Sequence, residues 1–226
     1  MSTTPKATID AVRAALSTQR MRTYEYEVEI KSQKTADDSA AIKLYAWNAA
    51  VSGALMAPPL HLCEVVVRNA VSDAIEAVYG SRWPWSPTFE LSLPDTKPGY
   101  SQRYDLQSSR RSEPTTGKVI PELKFVFWQK MFTNRHDSRI WNHHLRRVMP
   151  NLDKTKNITV LRQSIYGYLE RLRLLRNRIA HHEPIFRRAL ADDYQIIQAL
   201  VMYRCRVTAK WLDINQNVTN LIAAKP

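Results

Sequence analysis

The sequence predicts an all-α protein, a helical bundle elaborated with extra helices and a long basic loop. Two observations carry this expectation. Apolar residues recur every three or four positions along several long segments, as in Leu161, Ile165, Tyr168, Leu172, Leu175 and Ile179, which is the spacing of one buried helical stripe. Only the stretch YEYEVEI, from Tyr24 to Ile30, alternates like a strand, and no second strand lies near it in the sequence.

Taken in order, residues 8–24 place Ile9, Val12, Leu16 and Tyr24 on one side of a helix, with Thr8 as its cap. Residues 24–30 read as helix or extended linker, and 31–40 as an exposed linker in which Asp37 to Ser39 cap the next helix. That helix, 40–55, carries Leu44, Trp47, Val51 and Leu55 on one stripe and is stopped by Pro58 and Pro59. Residues 60–79 form a second strong helix in which Glu64 precedes Arg68 by one turn, as an i,i+4 ion pair, and Gly80 is its C-cap.

From 81 to 116 the prolines at 84, 87, 94, 98 and 114 break any long helix. Arg103, Arg110 and Arg111 alternate there with Ser, Thr and Gln, and the stretch is too long for an ordinary connection. It reads as a basic loop insertion, functional or partly disordered, with Trp83 and Trp85 packed beneath the domain and its arginines turned to a substrate. Residues 121–132, opened by Pro121, are apolar nearly all round and belong at the centre. Residues 138–148 are a short amphipathic helix with His143 and His144 exposed, and 192–212 a last packing helix with Val207 and Trp211 inward. The expected division is an N-terminal helix and linker (1–39), one helical domain (40–214) and a loose tail (215–226).

Composition bounds the function. Thirty-three Lys and Arg against 21 Asp and Glu give a formal charge of +12, the electrostatic footprint of a nucleic-acid binder. Between residues 162 and 188 there are seven arginines (162, 171, 173, 176, 178, 187, 188) and only two acids, Glu170 and Glu183. Such a face repels metal cations and attracts phosphate. Cys63 and Cys205 have no partner at metal or redox spacing and read as buried thiols in a reducing cytosol. The N-terminal residues lack a signal-peptide layout and no apolar run approaches a membrane span, so a cytoplasmic protein without membrane contact is expected.

The informative stretch is the end of the helix expected over 160–182, Arg176-Asn177-Arg178-Ile179-Ala180-His181-His182, which Pro184 brings to a stop. At about 100° per residue, Asn177 and His181 share a face, whereas Arg176 and His181 point about 140° apart. Arg176 must reach round, or the helix must distort. His182 falls near Leu175 on the apolar stripe, which makes it the core or interface residue and His181 the reactive one.

An Arg, a polar residue, three others and a His late on a helix resemble the R-polar-x-x-x-H motif of the HEPN superfamily. The longer string LRNRIAHHEPIF resembles its Abi-like branch, of the AbiD and AbiF type, associated with bacterial abortive infection. The strings YAWNAAVSGAL, LHLCEVVVRNAV and YGSRWPW, and the run from Gly117 to Trp141, look like that branch in the same order, so the resemblance spans roughly Tyr45 to Trp211. It implies a HEPN-like bundle and a metal-independent endoribonuclease acting as a growth-arresting toxin, with no cofactor and no metal ligands.

By that resemblance Arg176, Asn177 and His181 are catalytic, and His182, Glu183 and Arg178 support them. The RNA 2′-hydroxyl attacks the adjacent phosphate, leaving a 2′,3′-cyclic phosphate and a 5′-hydroxyl. His181 takes or gives a proton near neutrality. Arg176 neutralises charge on the phosphate oxygens, and Asn177 orients His181. Arg103, Arg110, Arg111, Arg146, Arg147, Arg173 and Arg187 are the expected RNA contacts. Glu64, Arg68 and Asn69 are read as a buried polar network bracing the catalytic helix, since the Arg68-Asn69 pair has Asp73 where a second motif would have its His. The resemblance further implies a homodimer with a composite site and a noncoding-RNA or protein antitoxin. Two other readings compete: a catalytically silent HEPN module that binds RNA or protein, and a metal hydrolase using His136, His143, His144, His181 and His182. The second lacks ligand spacing and nearby carboxylates.

Overall fold

The computed structural model describes residues 5–33, 37–96 and 98–226, and every regular element among them is helical. The first four residues and the centre of the expected linker, 34–36, lie outside the described residues. The helix expected over 8–24 is two: α1 (Lys6–Leu16) and α2 (Thr18–Ser32) meet at Ser17, whose φ of 73° breaks the helical path. YEYEVEI lies inside α2, so its alternation is helical, with Tyr24 buried and Tyr26 exposed.

Asp37 caps α3 (Asp38–Leu55), its carboxylate accepting from the backbone N–H of Ser39 at 2.9 Å and of Ala40 at 3.3 Å. Pro58 disfavours helical backbone at the residue before it, and Ala57 is extended (φ −139°, ψ 122°). The chain makes one wide turn (Met56–Leu60) and re-enters α4 (His61–Tyr79), which Gly80 ends at φ 82°. Asp38–Tyr79 contains an 18-residue window of mean hydropathy 1.5, of which 33% is buried. That amends the expectation that nothing approaches a membrane-spanning composition, although core helices pass the same test.

The stretch 81–116 is not a loose basic loop. Trp83–Trp85 form a short 3₁₀ turn, followed by α5 (Pro87–Ser92) and α6 (Gln102–Ser109), and Trp83, Phe89, Leu93 and Leu106 are fully buried. Two of its arginines are internal ties. Arg103 donates to the carbonyls of Glu90, Leu91 and Leu93, and Arg110 pairs with Glu90 at 2.6 Å while donating to the Pro84 carbonyl. Proline-bounded short helices leave carbonyls without intrahelical partners, and these guanidiniums satisfy several of them.

α7 (Thr116–Glu122) contains Pro121 rather than starting at it, and the chain re-enters a helix only at α8 (Phe125–Lys130). Phe127, Trp128, Met131 and Phe132 are buried there as expected, and the Phe132 ring stacks on Trp141 at 4.4 Å. α9 (Asn142–Val148) leads to α10 (Ile158–Ala180), opened by Asn157, whose side chain accepts from the Val160 N–H at 2.9 Å. α4 and α10 both pack on α8 and α9.

The inward stripe of α10 runs through Leu161, Ile165, Leu169, Leu172, Leu175 and Ile179; Tyr168 is half-buried instead. Arg162 also points inward, 5% exposed, paired with Asp137 at 2.8 Å and donating to the Phe132 carbonyl. It is therefore removed from the expected phosphate-facing arginines. The last packing helix breaks at Cys205, which is extended and half-buried, into α11 (Leu190–Arg204) and α12 (Arg206–Ile214). Both α4 and α10 also pack against α11. Val207 (78%) and Trp211 (52%) are exposed, contrary to expectation. The loose tail is docked: α13 (Val218–Ala223) buries Val218, and the Leu221 carbonyl accepts from the Trp47 indole at 2.5 Å.

His136, 2% exposed, has no hydrogen-bond partner for Nε2. Burial, with Arg135 and Arg139 nearby, pushes its pKa down to about 4. The unfolded chain takes up a proton near pH 6.5 that the folded state refuses, so this contribution is whole above that pH and lost as pH falls toward 4. Urea unfolding should show stability declining by up to about 1.4 kcal/mol per pH unit from this group across that window. The variant His136→Gln should lack that component; an identical slope in the variant would assign it elsewhere.

Candidate functional site

Pro184 forbids continuation of α10, and the chain reverses in two residues. The Glu183 N–H donates to the Arg178 carbonyl at 2.8 Å and the His182 N–H to the Ile179 carbonyl at 3.0 Å. This nested pair is a Schellman turn, which needs a left-handed residue at its centre. His182 fills that position with φ 55°, where glycine is the usual occupant.

The reversal is clamped from several sides. Arg20 on α2 donates to the His182 carbonyl at 2.8 Å, and Arg178 donates to the Pro184 carbonyl at 2.9 Å while pairing with Glu183 at 3.6 Å. The Ile185 N–H donates to the Asn48 side chain at 2.8 Å, with Ile185 and Asn48 both buried. Tyr24 packs its ring on Phe186 at 5.2 Å, and Glu27 pairs with Arg187 at 2.6 Å. Residues 20, 24 and 27 lie on one face of α2, so this helix zips along the segment following α10.

His181, His182 and Glu183 are all exposed. With Pro184 they line one wall of an open cleft of about 430 Å³, whose other wall is Ser17, Gln19, Arg20 and Thr23. The expectation that His182 lies on the apolar stripe is overturned: the left-handed turn swings it off the helix into solvent. Arg176 does not line this cleft. Its Nε faces Glu64 at 3.3 Å, and Glu64 also accepts from Arg68, so one carboxylate on α4 lies between two guanidiniums. Asn69 is exposed and makes no side-chain bond in this network. Asn177 is exposed too, and its side chain does not bond to His181; only its backbone carbonyl accepts the His181 N–H, at 3.0 Å.

All seven arginines of residues 162–188 meet a carboxylate. Arg171 and Arg188 share Asp193, which is fully buried, and Arg173 pairs with Glu170 at 2.7 Å. Of the other expected RNA contacts, Arg146 donates to the Asp153 and Lys156 carbonyls, and Arg147 to the Asp73 carbonyl. Arg111 is exposed and free of side-chain bonds. Nothing in the spacing of the sequence marks Arg20, Asn48 or Asp193; the first two act on residues far along the chain, and Asp193 ties Arg188 to Arg171 on α10.

A larger apolar cavity, about 630 Å³, lies between α11, α12 and α13 and shares no residue with the cleft. Three of its polar groups are bonded together: the Tyr194 hydroxyl donates to Asp213 and accepts from Gln198. The smaller cleft is the candidate site, because there exposed His181, His182 and Glu183 converge with Arg20, a guanidinium with no carboxylate partner among the described residues. Among the described residues no three His, Cys, Asp or Glu side chains are grouped as a metal site. Comparison with family models, curated proteins and solved structures found no match.

His182→Gly should raise the unfolding free energy by about 0.5–1 kcal/mol, because glycine adopts positive φ without Cβ crowding. His182→Val should lower it by more than about 1 kcal/mol. Urea titration of both variants checks the turn, and equal stability of the two would remove the claim of backbone strain.

Proposed function

We propose that this chain is a metal-independent endoribonuclease of the HEPN kind, with His181 as its proton-transfer residue. The observation that carries the reading is an exposed histidine fixed at a helix end, in a cleft that also holds a guanidinium. A ribonuclease of this type needs little more. The RNA 2′-hydroxyl supplies the nucleophile, an imidazole removes its proton or protonates the departing 5′-oxygen, and a cation stabilises the charge gathering on the phosphorane.

Arg176 and His181 lie apart within one chain, as their helical phases require. A homodimer that set the Arg176 of one chain against the His181 of another would join them in a composite site, with the second His181 as the acid. Resemblance to the Abi-like branch favours a growth-arresting toxin of an antiphage or toxin-antitoxin system, with a cytoplasmic RNA substrate and a noncoding-RNA or protein antitoxin.

Two observations favour the competing reading of a catalytically silent RNA- or protein-binding module. Arg176 is occupied by Glu64, and Asn177 does not orient His181. Incubating cellular RNA with the purified chain in excess EDTA separates the two. The ribonuclease reading expects fragments bearing 2′,3′-cyclic phosphate, with cleavage reduced by about 10²–10⁴ in His181→Ala and about 10²–10³ in Arg176→Ala. Intact RNA that is bound but uncut by the folded protein would favour the silent module.

A further inference from the structure

We propose that Arg20 binds a substrate phosphate in the His181 cleft, so that the corner between α1 and α2 forms the second wall of the RNA site. This rests on the ribonuclease reading above and adds a residue that the helix-end motif does not contain.

The argument is one of uncommitted charge. Arg176 faces Glu64 at 3.3 Å and lies outside the cleft lining, and Arg178 is shared between Glu183 and the Pro184 carbonyl. Arg20 differs from both. Among the described residues the one side-chain partner of its guanidinium is a neutral acceptor, the His182 carbonyl, reached by Nη1 at 2.8 Å. A guanidinium has five N–H donors in a planar fork, so one bond fixes its position and leaves the others for an anion. Glu183, the only acid among the described residues lining the cleft, is paired with Arg178. Arg20 therefore brings a full positive charge to the same space as His181, held in place before any ligand arrives, which lowers the ordering entropy of binding.

The corner is itself anchored. The Tyr24–Phe186 ring contact and the Glu27–Arg187 pair continue the line of contacts that Arg20 begins, and the Ser17 side chain accepts from the Arg20 backbone N–H at 3.4 Å. Gln19 and Thr23, flanking Arg20 on the same wall, add neutral donors suited to a ribose or a base edge.

The test is the salt dependence of binding of an unstructured oligouridylate to the full chain carrying His181→Ala, alone and combined with substitutions at Arg20. Each phosphate contact to a single strand contributes about 0.7 to the slope of log K against log salt. Arg20→Ala should reduce the slope by that amount, and Arg20→Lys should restore it. Arg20→Gln keeps a donor for the His182 carbonyl without the charge, so it separates phosphate binding from support of the turn and should behave like Arg20→Ala. Steep binding whose slope is unchanged in Arg20→Ala and Arg20→Gln overturns the Arg20 assignment and leaves the ribonuclease reading standing. Failure of the parent protein to bind the oligonucleotide at all overturns both.

Discussion

The left-handed backbone at His182 decides what the end of α10 can do. Had the helix continued, His182 would have sat above Leu175 on the buried stripe and His181 would have pointed along the surface with a turn beyond it. Pro184 prevents this, because its ring disfavours helical backbone at the residue before it. The chain instead reverses through a Schellman turn, sends Ile185 and Phe186 into the core, and leaves His181, His182 and Glu183 outside. Burial of Ile185 and Phe186, at about 1.5–3 kcal/mol each, is of the size needed to hold a non-glycine residue at positive φ. The same reversal brings the His182 carbonyl to Arg20, so strain at one residue and the shape of the cleft have a common origin.

Charge is organised by tertiary contact rather than by neighbours in sequence. Counting residues 162 to 188 gives seven arginines and two acids, yet acids from distant segments, Glu27, Glu64 and Asp137, and the buried Asp193 compensate most of them. The pairs are not equal. The Arg162–Asp137 pair is desolvated, and removing one partner would strand a buried charge, so it is structural. Arg187 is 57% exposed, and an exposed pair contributes only about 0–1 kcal/mol, so a phosphate can displace its carboxylate. Exposure rather than pairing alone separates arginines that hold the fold from those whose charge remains open to solvent anions.

Much of the bundle was legible in the sequence because helix periodicity is a local signal. The stripes of α3 and α10, the stop at Pro58, the cap at Asp37 and the end at Gly80 all follow from residues within one turn of each other. What escaped prediction depended on contacts across the chain. The stretch 81–116 looked like a loop because its prolines permit only short helices; its burial comes from Trp83 and Phe89 docking on elements that sequence does not place. The breaks at Ser17 and Cys205 have no proline to announce them. At the site, the exposed position of His181 was readable from helical phase and Pro184. His182 would lie on the apolar stripe only in a helix continuing to residue 182, two residues beyond the Ala180 at which α10 ends.

Glu64 gives the remaining step. Two guanidiniums, Arg68 and Arg176, against this one carboxylate leave one net positive charge on the surface between α4 and α10. Glu64 is half-buried and Arg176 is 40% exposed, so the acid is fixed and the arginine retains donors toward solvent. A carboxylate in this place attenuates the cation without burying it. An ideal helix sets residues five apart at about 140°, and here Arg176 faces Glu64 on α4 while His181 lines the cleft with Arg20. Under the ribonuclease reading proposed above, a second copy of the chain would have to set the Arg176 of one protomer against the His181 of the other.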